Sequence, residues 1–304
     1  MRRRRRPPPS PLPQRDGIDP VRIRLPEDPG GRWATVYDHV AARYGPERAG
    51  AMFAGRRIVS VEGSVTADEP YTAGRYLWFH RDFAPEEHVP FEIGIVHRDE
   101  RLLVVDKPHF LATTPRGRHI TETALARLRR DLGLPGLQPA HRLDRLTAGL
   151  VLFVVREEDR GAYQRLFGER RVRKEYEGVA RHDPGVELPR TVRSRIVKEH
   201  GVMAAHEVAG EPNSESRIEL VERRGGLGRY RLLPTTGRTH QLRVHMNALG
   251  LPLLDDPLFP VVREPEEGDW SRPLQLLAKV LEFTDPVTGE PYRFDSRLRL
   301  SRWR

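Results

Sequence analysis

The sequence predicts an α+β fold built on a largely antiparallel sheet, with a smaller α/β module ahead of it. Three observations predict this. Strand-like apolar runs follow one another with only turns between them, as in 217–221 with 230–233 and 280–283 with 292–294. Helical patterns recur irregularly rather than after each strand, which disfavours a doubly wound sheet. The 304 residues suffice for a domain of about 200 residues and a second, smaller one.

Residues 1–31 begin with Arg2–Arg6 and a proline-rich stretch. Like charges repel and proline removes backbone donors, so this segment reads as a disordered arm. Such an arm either holds phosphates non-specifically or serves only solubility. Residues 32–82 read as a small module. Val36, Val40 and Tyr44 share a helical face within 35–44, and 49–54 forms a second short helix. A strand into a turn follows at 57–65, then another strand at 71–80. The acidic, proline-containing stretch 84–92 reads as a linker, and residues 83–304 form the main domain.

Within that domain, 102–105 is a short buried strand ended by Asp106-Lys107-Pro108. An amphipathic helix covers 121–132, with Ala124, Leu125, Leu128 and Leu132 inward and Gly133 as its stop. A continuous apolar strand spans 150–155. Tyr163, Leu166 and Phe167 mark another helix, and 176–180 another strand. Gly225-Gly226-Leu227-Gly228 lacks the spacing of a phosphate-binding loop and reads as a hairpin turn. A helix at 239–249 carries the stripe Leu242, Met246 and Leu249, leaving Gln241 and Arg243 off it and free to face a cleft.

Composition narrows the function classes. There are no cysteines, which excludes disulfides, thiolate metal sites and cysteine nucleophiles and suits a reducing cytoplasm. No apolar run approaches the roughly 20 residues of a membrane span. The net charge is +9, yet residues 1–15 hold six arginines and no acid, so the rest of the chain carries +3. His240 and His245 are five apart, off the four-residue spacing that stacks two ligands on a helix. His97, His109, His119 and His141 show no ligand spacing either, so no metal site is expected.

The most informative run is HRLDRLTAGLVLF, residues 141–153. It sets Asp144 between Arg142 and Arg145 at the edge of a buried strand. A carboxylate there is held ionised beside guanidiniums that can grip phosphates. The residues alone also fit a buried salt-bridge acid.

Together with its neighbours this run resembles the RluA-type RNA pseudouridine synthases. RKEYEGVA (173–180) resembles the family's second motif and TTGRTHQLRVHMNALGLP (235–252) its third. VVDKP (104–108) resembles its opening strand and turn, and LQLLAKVLEFTDPVTGE (274–290) its closing hairpin. The motifs fall in family order from residue 92 onward. The helix, helix, hairpin order of 32–82 is similar to the S-four-like RNA-binding module often attached to this family, though its usual Arg-Leu-Asp opening is replaced by Trp33-Ala34-Thr35. Three departures stand in loops that bear on the choice of RNA. His109-Phe110 replaces the family's glycine-containing turn after DKP. Asp255-Asp256-Pro257-Leu258-Phe259 replaces Gly-Asp-x-x-Tyr, and Leu277-Ala278 replaces His-Ala.

The resemblance implies an isomerase of uridine in ribosomal or transfer RNA. The reaction cuts the bond from ribose to uracil nitrogen, turns the base and rejoins it through carbon, so no cofactor is required. Asp144 would be the catalytic carboxylate, attacking the sugar or base or assisting elimination. Tyr176 would support the base, and Arg243 would pair with Asp144 and orient it. Arg142 would enter the gap left by the flipped nucleotide. Lys174, Arg145, Arg238 and His240 would bind the RNA backbone or position loops. A monomer in the cytoplasm is expected. The competing reading is a non-catalytic RNA-binding or ribosome-assembly protein on the same fold.

Overall fold

The computed structural model describes residues 7–263 and 268–303, so the Arg2–Arg6 run lies outside the described residues. The chain divides into two compact units, Met1–Pro85 and Glu86–Arg304.

The first unit holds β1 (Val21–Arg24), α1 (Val36–Tyr44), α2 (Pro46–Ala54), β2 (Val59–Ser60), β3 (Gly63–Ser64) and β4 (Tyr76–Phe79). Its sheet has the order β1-β4-β2-β3. Thr35 and Asp38 form a reciprocal capping box that fixes the start of α1. Proline at the first position of α2 starts that helix without losing a bond. Both helices lay Val36, Val40, Ala49 and Met52 over Ile23 and Leu77 of the sheet and over Ile58, just before β2. Strand β1 corrects the expectation of a disordered arm through residue 31. Val21-Arg22-Ile23-Arg24-Leu25 alternates, and Ile23 and Leu25 are buried while Arg22 and Arg24 are exposed. The arginines obscured a period-two strand.

The second unit holds β5 (Gly94–Arg98), β6 (Leu102–Lys107), α3 (Ala124–Leu132), β7 (Gln138–Pro139), β8 (Ala148–Val154), α4 (Arg160–Gly168), β9 (Arg173–Arg181), β10 (Arg190–Val197) and β11 (His206–Val208). There follow β12 (Ser214–Arg224), β13 (Leu227–Pro234), α5 (Gln241–Ala248), β14 (Leu276–Thr284) and β15 (Pro291–Asp295). The main path of its sheet is β11-β10-β12-β13-β9-β14-β8-β6-β5, with β15 beside β14 and β7 beside β8. Every pairing is antiparallel except β14 with β8, which run parallel over Leu277↔Ala148 and Ala278↔Gly149. The mixed α/β architecture with a mostly antiparallel sheet matches the expected class.

Strands β6 and β8 are buried throughout because both their faces are covered. Leu103, Val105, Val151 and Phe153 face α3 and α5. Leu102, Val104, Leu150 and Leu152 face Tyr163 and Leu166 of α4. That is why residues 150–154 read as an unbroken apolar run. At the parallel crossing, Gly149 has φ +109, and a Cβ there would lie 2.3 Å from the Ala278 carbonyl oxygen. Only glycine admits that approach.

Helix α5 departs from expectation. It is not amphipathic: Gln241, Arg243 and His245 are as buried as Leu242 and Met246. Each polar side chain has its own partners. Gln241 accepts from Thr236 and donates to the Glu215 carbonyl and Ser216. His245 Nε2 lies 3.1 Å from both Ser194 and Ser214 hydroxyls.

Candidate active site

The segment 141–147 leaves β7 and enters β8 as irregular backbone. Its exposure alternates: Arg142 is exposed, Leu143 is buried and Asp144 is half-buried. Leu143 is the anchor. Its amide donates to the Thr113 hydroxyl at 3.1 Å, and that hydroxyl donates back to its carbonyl at 2.8 Å. The His109 Nδ1–H donates to the Leu146 carbonyl at 2.7 Å. Lys107 Nζ donates to the carbonyls of Pro108, Leu111 and Arg145 at 2.8, 2.7 and 3.3 Å. Three side chains from the end of β6 and the turn after it thus grip the backbone on either side of Asp144. Burial pushes the Lys107 amine down to about 7, against the pull of Asp144.

Asp144 opens onto a cleft of about 770 Å³. Its walls include Thr113, Arg116, His141, Arg142, Arg145, Arg170, Lys174, Tyr176, Thr236 and Arg238. Among the described residues, Asp144 is the only acid that lines it. A smaller chamber of about 100 Å³ leads inward, between Asp144, Tyr176, His240 and Arg243.

Arg243 sits at the back of that chamber with 2% of its side chain exposed, against 32% for Asp144. Its guanidinium is bidentate to Asp256, at 2.8 Å from Nε and 2.6 Å from Nη2. The remaining Nη1 reaches Asp144 Oδ2 at 3.8 Å. Arg243 is therefore beside Asp144, as expected, but Asp256 is its main partner. Asp256 lies in the loop that departs from the family pattern, and nothing in its sequence spacing marks it as the partner of Arg243. The Leu258 amide donates to Asp256 at 2.8 Å and helps fix it.

Tyr176 projects from β9 toward Asp144. Burial, and then the negative charge of Asp144, raise its hydroxyl well above the ordinary tyrosine range. Lys174, two residues earlier on the same face, donates to the Thr236 carbonyl at 3.2 Å, and burial lowers its amine. Arg238 donates to the Asn213 carbonyl at 3.2 Å. Arg145 contacts the Phe110 carbonyl at 3.4 Å. His240 accepts from the Ala205 amide at 3.2 Å, which ties one ring nitrogen to loop structure. All eight expected residues line the cleft or its inner chamber. Arg116, Arg170 and His141 line it too and were not among them. The basic run GERRVRKEY around Arg170 was the available signal.

The comparisons with known proteins agree with one another. The pattern of the RNA pseudouridylate synthase family matches residues 101–248. The dual-specificity RNA pseudouridine synthase RluA of Haemophilus influenzae is 31% identical over 229 residues, covering 70% of this chain and 97% of the relative. The chain belongs to the RluA-type RNA pseudouridine synthases. The RluA of Pasteurella multocida is 33% identical, covering 67% of this synthase and 92% of its relative. The human RNA pseudouridylate synthase domain containing 1 superposes with a TM-score of 0.53 at 25% identity, covering 71% of this chain and 94% of that one. Human domain containing 4 shares the fold, with a TM-score of 0.51 at 23% identity and coverage of 69% and 89%. The synthase has no helix long and apolar enough to cross a membrane among its described residues.

Proposed function

We propose that this synthase isomerises uridine in ribosomal or transfer RNA with Asp144 acting at the glycosidic bond. One observation carries the reading: among the described residues, Asp144 is the sole acid lining a basic cleft, next to a buried guanidinium. The cations of the walls attract phosphates, and the inner chamber takes a base swung out of its stack. Asp144 then serves as nucleophile or as the base of an elimination. In either route the N1–C1′ bond breaks, uracil turns in place, and a C5–C1′ bond forms. The proton lost from C5 is balanced by one gained at N1, so atoms and charge are conserved.

Tyr176 keeps its proton at neutral pH, because burial and Asp144 both oppose ionisation. It therefore acts on the base as a wall and as a hydrogen-bond donor. Arg243 orients Asp144 through charge. Arg142, exposed at the mouth, fills the space of the departed base, and Arg145, Lys174, Arg238 and His240 position RNA and loops. The N-terminal unit, with exposed Arg22, Arg24 and Arg32, adds RNA contact as an S-four-like module. We place the enzyme in the cytoplasm as a monomer.

The test is pseudouridine mapping of total RNA from the host with and without the gene, complemented with wild type or Asp144→Asn. Sites that vanish in the deletion, return with wild type and stay absent with Asp144→Asn establish the reaction and name the RNA. A map unchanged by deletion removes the proposal for cellular RNA.

A further inference from the structure

One wall of the cleft carries donors that the reaction at Asp144 does not use. His141 stacks on Phe167 of α4, ring centroids 4.3 Å apart at 19°. The Leu152 amide donates to His141 Nε2 at 3.1 Å. A ring nitrogen that accepts carries no proton, so in the neutral ring the proton is on Nδ1. Burial first, and then Lys174, push the ring down to about 3, so it is neutral under all working conditions. Nδ1–H meets no acceptor among the described residues, and the ring borders the cleft.

Lys174 borders the same wall. It is largely buried, makes one bond to a backbone carbonyl, and has no carboxylate partner among the described residues. A buried ammonium left without a counter-ion is costly. Arg170 stands just past the end of α4 in the left-handed backbone region, at φ +59, which a residue with a Cβ adopts only at a cost. Its charge reaches Glu215, but that carboxylate hydrogen-bonds Arg193. Between these side chains the wall is bare: Gly168 and Gly237 both line it, and a Cβ on Gly237 would lie 3.8 Å from Lys174 Nζ. Two cations and one neutral donor thus border one open space, and the one acid lining the same cleft among the described residues is Asp144.

We propose that His141, Lys174 and Arg170 form a seat for one backbone phosphate of the bound RNA, with His141 giving an uncharged N–H and the other two giving charge. The proposal rests on the reading that RNA occupies this cleft. Donors set together on one wall of the cleft suit the tetrahedral oxygens of a phosphodiester. A neutral donor fixes direction without adding to non-specific attraction, which charge alone supplies.

The mixed character gives a distinctive test. Affinity for bulk transfer RNA and for fragmented ribosomal RNA is measured by filter binding across a KCl series, in an Asp144→Asn background. Lys174→Met is expected to weaken binding and to lower the slope of log Kd against log[KCl] by about 0.7, one phosphate's worth on a single strand. His141→Phe keeps the stack on Phe167 and is expected to weaken binding about fivefold at every salt concentration, with the slope unchanged. His141→Gln, which can still accept from Leu152, recovers part of that loss and serves where His141→Phe does not fold. An unaltered slope in Lys174→Met overturns the phosphate seat, as does a lowered slope in either His141 variant. Wild-type tritium release from 5-tritiated uridine in the same RNAs tests the underlying reading separately. Release with unmoved slopes sinks the seat alone, and the expected slopes without release sink the isomerase reading alone.

Discussion

Arg243 spends two nitrogens on Asp256, at 2.8 and 2.6 Å, and faces Asp144 with the third at 3.8 Å. The buried guanidinium is thus neutralised by a residue outside the chemistry. Asp256→Asn is expected to destabilise the protein by about 3–5 kcal/mol, since it strands a buried cation. Asp144→Asn is expected to cost under about 1 kcal/mol, because its carboxylate is a third exposed and makes no close bond to Arg243. Urea titrations of both variants measure this, and equal losses would contradict the division of roles.

Tyr176→Phe keeps the ring and removes the hydroxyl. If the hydroxyl assists proton transfer at the base, turnover falls about 100-fold or more while RNA affinity holds. The raised Tyr176 hydroxyl also predicts no loss of rate from its ionisation as pH rises toward about 10, the ordinary tyrosine value. Single-turnover rates against pH, for wild type and Tyr176→Phe, check both statements.

Three histidines make stability depend on pH in one direction. Burial pushes His109 down to about 4, His141 to about 3 and His245 to about 4. The unfolded chain protonates these rings near 6.5. Below that value the unfolded state binds more protons, so stability falls as pH drops from about 6.5 toward 4. Unfolding in this window takes up about three protons at these rings, before most carboxylates titrate, and His39 and His240, which burial also lowers, add to the uptake. Urea midpoints taken stepwise across the window give the slope. In His109→Gln the uptake is expected to drop by about one proton.

Gly149→Ala is expected to destabilise by more than about 2 kcal/mol. Its Cβ would enter the Ala278 backbone, and its φ of +109 is closed to alanine. Thermal unfolding measures the loss. Gly250→Ala is the comparison, since φ there is +75 but nothing lies within 4 Å of its Cβ, so it carries the conformational cost alone.

The sheet strands of the second unit were legible where both faces are buried, because β8 is apolar without interruption and β6 opens on Leu102-Leu103-Val104-Val105. Strand β10 was not, since Arg190, Arg193 and Arg195 break its run and its stability comes from pairing with β12. At the site, Asp144, Tyr176 and Arg243 were legible through family motifs. Asp256 was not, because its partner lies on another element and becomes visible only in three dimensions. Phe110 shows a related limit. It replaces a family glycine yet keeps the left-handed backbone, φ +66, and packs against Phe91 and Trp270. Ring burial of about 3–5 kcal/mol outweighs a backbone cost of about 1–3 kcal/mol.

The ladder between β14 and β8 holds only two residue pairs, and it is where the main path of the sheet passes from one half to the other. Asp144 precedes β8 on one half, and Tyr176 rides β9 on the other. They are therefore the two jaws of a caliper whose pivot is Gly149 against Ala278. Ala278 pairs with Gly149 on one side and with Tyr176 on the other, so a residue that forces this crossing apart also shifts Tyr176 relative to the strand that follows Asp144.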